Sequence, residues 1–341
     1  MVFKLIGYFC ISKLFNKMKD QYFLPVEILS PYAIEYIERI QELIEAVKGD
    51  CITNDLSSKF TFIREHGIIK ETAFIEKEND GLFHIQISEN FGQYLWCVGL
   101  YLSVYFDNKV QIPMMNMAGT NVHHYVANDN DLEFANEIFF NGRRLLDHFV
   151  RDIYWNTPNI CAPESYAEVI NHANGIYCAA IAFIYAHEFA HNYLGHTHID
   201  NSYMHSVEDE IQADLTAISF IRDEYETEFG FTYKVGVATV LSGLLLMQED
   251  SISGNGTHPD MDLRIEKLMH ELDLSEMDNL WGYIACAIRL WLFVYKGITP
   301  QEEMEQSGFA TYKELYDYYL SKLHIIRQQR FPTIVPPEWS K

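Results

Sequence analysis

The feature that constrains this chain most is the uninterrupted apolar run Ala179-Ala180-Ile181-Ala182-Phe183-Ile184-Tyr185-Ala186, which leads without a turn residue into His187-Glu188-Phe189-Ala190-His191. A helix that is apolar all round belongs inside a core. The spacing predicts such a helix over Ile176–Leu194, ended by Gly195, and it fixes the residues of an H-E-x-x-H pattern on a rigid element. Residues four apart stand one turn apart on the same helix face. His187 and His191 can therefore present two imidazole nitrogens to one zinc ion. Glu188 is rotated off that face, toward the water that attacks the substrate, whose proton it can take and later pass to the leaving amine.

Two histidines need a third ligand. One familiar completion places Gly three and His six residues beyond the second His, but those positions hold Leu194 and Thr197. His196 and His198 follow the expected helix end and read as loop residues lining the site, with ligation as the less favoured alternative. A better completion is Glu210-Ile211-Gln212-Ala213-Asp214, an E-x-x-A-D pattern on a helix expected over Val207–Asp223, with Ser206 as its N-cap and Asp209 near the third helical position. Glu210 supplies the third ligand and leaves a fourth position open for water. Asp214 can hydrogen-bond the far nitrogen of a ligating His and hold its tautomer, while small Ala213 permits close helix approach. Glu208, Asp209 and Glu210 also suit a helix dipole, which is the competing reading of this acidic start.

A third element is Thr257-His258-Pro259 followed by Arg264-Ile265. Pro259 suits a first helical turn. His258 or Arg264 can reach a developing oxyanion, or Arg264 can pair with Asp214 and brace the site. Bracing is the favoured reading for Arg264, and His258 stays open between the catalytic role and simple helix capping.

Taken in order, H-E-F-A-H, E-I-Q-A-D and T-H-P-D-M-D-L-R-I, spanning His187 to Ile265, resemble the gluzincin peptidases, and most of all the group holding HtpX and the CAAX prenyl endopeptidases. That resemblance implies a Zn2+-dependent endopeptidase in which an edge strand lays the substrate across the active-site helix. The chain departs from that group in lacking its membrane spans. A layout with H-E-x-x-H near the middle is similar to the Lit phage-exclusion peptidases, which implies cleavage of a host translation factor upon infection.

The remainder of the chain predicts an α+β, predominantly helical fold with a small N-terminal hairpin or sheet. The expected organisation is a basic and apolar segment over 1–20, an α+β part over 21–130, and a helical metallopeptidase part over 131–330 that forms one compact unit with it. Thr72–Ser88 reads as a hairpin turning at Asn79-Asp80-Gly81. Its second half, Phe83–Ser88, alternates and is either a substrate-pairing edge or an ordinary internal strand. Helices are expected from Ser30-Pro31 to Val47, over Gln93–Phe106, Leu132–Tyr154, Val235–Gln248, Asp260–Leu272 and Met277–Tyr295, after Thr299-Pro300, and over Thr311–Gln329.

With 48 acidic against 25 basic residues the net charge is −23, which disfavours a nucleic-acid partner. Six cysteines without a C-x-x-C pair read as free thiols of a cytoplasmic protein. No integral membrane span is expected: Val235–Met247 is too short, and Leu280–Tyr295 carries Arg289. Near the N-terminus the uncharged run Leu5–Ser12 is cut short by Lys13, with no cleavage site after it. The expected function is a zinc-dependent endopeptidase acting on a protein or peptide. The alternatives are a non-cleaving zinc-binding regulatory or interaction protein, against which the intact Glu188 argues, and a toxin-like effector with one host target.

Overall fold

The computed structural model describes residues 25–48, 58–63, 72–77, 83–117, 128–147, 166–196, 206–222, 230–253, 258–298 and 308–330. Along the chain come α1 (Pro25–Lys48), β1 (Ser58–Ile63), β2 (Ala73–Lys77), β3 (Phe83–Ser88), α2 (Glu89–Phe106), a π-helical segment (Asp107–Gln111) and α3 (Ile112–Met117). There follow α4 (Asp129–Asp147), α5 (Ala167–Tyr193), α6 (Val207–Ile221), α7 (Gly230–Met247), a 3-10 turn (Glu249–Ser253), α8 (Met261–Glu271), α9 (Asn279–Lys296) and α10 (Tyr312–Arg330). The fold is α+β and mostly helical, with one small sheet.

The two halves of the expected hairpin pair antiparallel, Ala73 opposite Ile87 and Lys77 opposite Phe83, although the turn between them lies outside the described residues. β3, however, is the central strand. The order is β1-β3-β2, with β1 parallel to β3 and Phe60 opposite Ile85. Both edges of β3 are already hydrogen-bonded, so it cannot pair with a substrate strand. The segment Ser58–Ile63, read as no element from the sequence, is what covers it. Strand gives way to helix without a loop: Ser88 ends β3 and caps α2, its side chain accepting from the Phe91 amide.

One hydrophobic cluster takes in residues from Leu29 in α1 to Leu323 in α10. At its centre lies α5, buried without a break from Ile176 to Asn192 and packed against α1, α2, α6 and α7. α5 starts nine residues before the apolar signal, at Ala167, and α7 starts at Gly230 instead of Val235. At these lengths both helices are apolar enough to cross a membrane, but the segments concerned are mostly buried in the fold and the two pack on each other. Their contact depends on Gly236, where an added Cβ would stand 2.7 Å from the Ala179 carbonyl carbon. Cys97, Cys178 and Cys286 are free thiols in this core, each pushed up to about 12 or beyond by burial.

Other boundaries moved. α1 begins at Pro25 and runs through Pro31, so Ser30 lies inside it and does not cap it. α4 ends its described course at Asp147, and Met1–Asp20, Thr257, His198 and the helix after Thr299 lie outside the described residues.

Candidate metal centre

The centre is assembled from the end of α5 and the start of α6. Ser206 and Asp209 form a reciprocal cap at the mouth of α6: the Ser206 hydroxyl accepts from the Asp209 amide at 3.2 Å, and the Asp209 carboxylate accepts from the Ser206 amide at 2.9 Å. This sets the rotation of the helix. Glu208 faces out and takes a bond from the Gln212 amide, whereas Glu210 and Asp214 turn inward and are buried. The four-residue spacing that puts Glu210 and Asp214 on one face is the same spacing that aligns His187 and His191 across from them.

The Nε2 atoms of His187 and His191 are 3.2 Å apart. Glu210 bridges them, with Oε2 at 3.6 Å from His187 Nε2 and Oε1 at 3.4 Å from His191 Nε2. Behind His187, Asp214 Oδ1 lies 2.8 Å from Nδ1. Behind Asp214, Arg264 of α8 donates twice, from Nε to Oδ2 and from Nη2 to Oδ1, each at 2.7 Å. His258, just ahead of α8, puts Nδ1 3.3 Å from Glu210 Oε2 and keeps over half of its side chain exposed, so this is the flank on which the cluster meets solvent. Of the expected site residues, His187, His191, Glu210, Asp214, His258 and Arg264 thus meet in one place, with Arg264 engaged twice on Asp214.

The electrostatics follow from burial. Desolvation alone would lower His187, but the carboxylates of Asp214 and Glu210 overcome it and raise the ring to about 10. Burial pushes Glu188 up to about 7; the positive charges of His187, Arg264 and His258 oppose the rise, and Glu210 adds to it. Burial also works against the charge on Glu210, yet the rings of His187, His191 and His258, each within 3.6 Å of its carboxylate, hold it far below the usual carboxylate range. Arg264 and His187 likewise hold Asp214 down against its burial. Glu188, Glu210 and Asp214 surround the His187 ring and the Arg264 guanidinium, and the rise of His187 reflects a pocket that favours positive charge at the rings.

A divalent cation fits that demand. The ligand atoms of His187, His191 and Glu210 lie within 4.8 Å of one another, and among the described residues they are the group that can hold a metal. Four donors arranged tetrahedrally about 2.0–2.1 Å from zinc stand roughly 3.3–3.4 Å apart. The separations of 3.2, 3.4 and 3.6 Å are close to that figure. Two imidazoles and a carboxylate are also a donor set that suits zinc.

Residues 85–284 match the Peptidase U49 family. The chain belongs to it. This is the Lit peptidase family, a family of metallopeptidases. The Peptidase U49 stretch runs from β3 into α9 and contains the whole centre, including His258 and Arg264. No curated protein and no solved structure matches the chain.

One contact has no counterpart in the motifs. His196 is buried, with Nδ1 3.2 Å from His191 Nδ1 and Nε2 3.5 Å from Asp209 Oδ1. The sequence reading that puts His196 among loop residues lining the site agrees with this position, and Gly195, as a helix stop, is what brings the residue back against the last turn.

Proposed function

We propose that this peptidase is a zinc-dependent endopeptidase whose metal is held by His187 Nε2, His191 Nε2 and the Glu210 carboxylate. The observation that carries the reading is the convergence of those donor atoms in a buried pocket, with Glu188 close enough to feel the charges of His187, Glu210 and His258. When bound, zinc supplies Lewis-acid polarisation of the scissile carbonyl and acidifies a water molecule. Glu188 takes the proton from the attacking water on its carboxylate and delivers it to the leaving amine. Asp214 orients His187 through Nδ1, and Arg264 holds Asp214 in place by its paired donors. His258, on the open flank, is the side chain placed to donate a hydrogen bond to the substrate oxygen as charge develops there.

Membership of the Lit peptidase family supports a protein substrate, and the Lit-like layout supports a defence role in the cytoplasm with one host protein as target. The test is Glu188→Gln. This variant keeps every ligand, so it should fold and hold zinc like the wild type. It should lose cleavage by about 10² to 10⁴. Mapping new protein N-termini in cells expressing either form should reveal a site cut by the wild type alone, and any growth defect should vanish with the variant. A Glu188→Gln protein that cleaves as fast as the wild type would refute the mechanism.

A further inference from the structure

The two candidate ligands on α5 differ in what stands behind them. His187 has a carboxylate, Asp214, at its far nitrogen. His191 has another imidazole, His196, with its Nδ1 at 3.2 Å from His191 Nδ1. Two Nδ1 atoms at that distance form a hydrogen bond only if one carries hydrogen and the other does not. If His191 offers Nε2 to a metal, its Nδ1 must be the protonated atom. His196 Nδ1 must then accept, which leaves the His196 proton on Nε2, and that atom faces Asp209 Oδ1 at 3.5 Å.

Backbone geometry puts His196 there. α5 ends in a paired turn: the Gly195 amide donates to the Asn192 carbonyl at 3.0 Å and the His196 amide donates to the His191 carbonyl at 2.8 Å. Gly195 sits at φ +76, a left-handed conformation that costs a residue with a Cβ. His196 is thereby tied to His191 twice, by its backbone and by its ring. Its other partner, Asp209, is the residue whose second oxygen caps α6 through Ser206.

We infer that His196 is a positioning residue of the metal site: it accepts from His191 Nδ1, donates from Nε2 to Asp209, and so fixes the His191 tautomer from the capping residue of the helix that supplies Glu210. The inference rests on the zinc-site reading above. It makes Asp209 more than a helix cap, because the direction of its hydrogen bond sets the direction of the next one.

The test exploits that direction. In Asp209→Asn the side-chain oxygen can still cap Ser206, but an amide NH2 then faces His196 Nε2. His196 must accept there, its proton moves to Nδ1, and two N–H groups meet at His191. His196→Phe keeps a ring without an acceptor, and His196→Asn restores an acceptor near the Nδ1 position. Zinc affinity is measured on the full chain by competition with a chelator, alongside Tm of the metal-stripped proteins and the nitrogen-15 shifts of the histidine rings. The expected result is binding ten- to a hundredfold weaker for Asp209→Asn and His196→Phe. His196→Asn should bind within a few-fold of wild type, and stripped Asp209→Asn should melt like wild type. Ring shifts should show His196 protonated on Nε2 in the wild type and on Nδ1 in Asp209→Asn. Undiminished zinc affinity in His196→Phe overturns this inference alone. A wild type that takes up no zinc overturns the metal-site reading and this inference with it.

Discussion

Removing Arg264 isolates a buried charge whose cost can be worked out. Asp214 is fully buried, and its carboxylate has two cationic or cation-capable neighbours: the Arg264 guanidinium, bound through two 2.7 Å bonds, and the His187 ring at 2.8 Å. Arg264→Met keeps an unbranched side chain of similar reach and deletes both donors. Asp214 is left buried beside a ring that zinc binding requires to be neutral. Breaking one side of a buried pair costs about 3–5 kcal/mol. A chain of 341 residues has an unfolding entropy of about 0.7 kcal/mol per kelvin, so Tm should fall by about 4–7 °C. The double variant Asp214→Asn, Arg264→Met removes both charges and should recover most of that loss. It should not recover zinc affinity, because the amide introduced by Asp214→Asn can turn its NH2 toward His187 Nδ1 and no longer favours the required tautomer. Calorimetry and zinc competition on the two single variants and the double variant complete the cycle. An Arg264→Met protein that melts with the wild type but turns over far more slowly would refute the bracing argument and place Arg264 on the substrate oxygen.

Three further outcomes follow from other parts of the structure. Glu210→Gln should abolish tight zinc binding, whereas Glu208→Gln, on the exposed face of α6, should keep about one zinc per chain; equal losses in metal analysis would mean that the wrong face of the helix has been assigned. Gly236→Ala would set a Cβ 2.7 Å from the Ala179 carbonyl carbon, so overpacking of about 1–3 kcal/mol should exceed the gain in helix propensity and destabilise the protein in denaturant titrations. Asp262 of α8 is buried against Arg327, near Asp260, Glu266 and His324, and burial pushes it from 3.8 up to about 7 despite Arg327. Its folded value lies above its unfolded one, so its contribution favours the folded state at low pH and is lost as the pH rises from about 4 to 7. Asp262→Asn should therefore raise Tm relative to wild type at pH 8 and leave little difference near pH 4, Arg327 keeping Asp260 as a partner at 3.1 Å. His324, which burial lowers, stands 3.4 Å from Asp262 Oδ2 and titrates with it, so the comparison is made in a His324→Gln background; a Tm difference that is the same at both pH values would contradict the Asp262 shift.

What could be read from the sequence was what is local. Helix periodicity turns spacing into geometry, and His187 with His191, Glu210 with Asp214, and Ser206 with Asp209 are all three or four residues apart within one helix or its cap. Their patterns therefore specified faces before any packing was known. The sheet was different. β2 and β3 are close in sequence, with the turn signal Asn79-Asp80-Gly81 between them, and could be paired from it, but β1 lies parallel to β3, and a parallel partner leaves no turn to mark it. Without β1 the central strand looked like a candidate edge. The early start of α5 was hidden for a related reason: Asn171, His172, Asn174 and Gly175 interrupt the apolar run, while Asn174 is used to accept from the Trp96 indole, a contact between distant segments.

The same distinction explains why the candidate ligands were legible and the residues behind them only partly so. Asp214 and Arg264 could be paired because both belong to recognisable motifs. His196 belongs to none; it matters because the left-handed Gly195 folds the chain back under His191. Its position makes α6 the organising element of the centre. Within two turns that helix supplies Asp209 to the His196 ring, Glu210 to the near nitrogens of both candidate ligands, and Asp214 to the far nitrogen of His187. α5 presents the rings, while α6 stands against the far nitrogen of His187 and, through His196, behind the ring of His191. A change in the rotation of α6 would move Asp209, Glu210 and Asp214 together, so on the proposed reading a cap on its first turn, ordinarily a matter of about 1 kcal/mol of helix stability, is also a support of the metal centre.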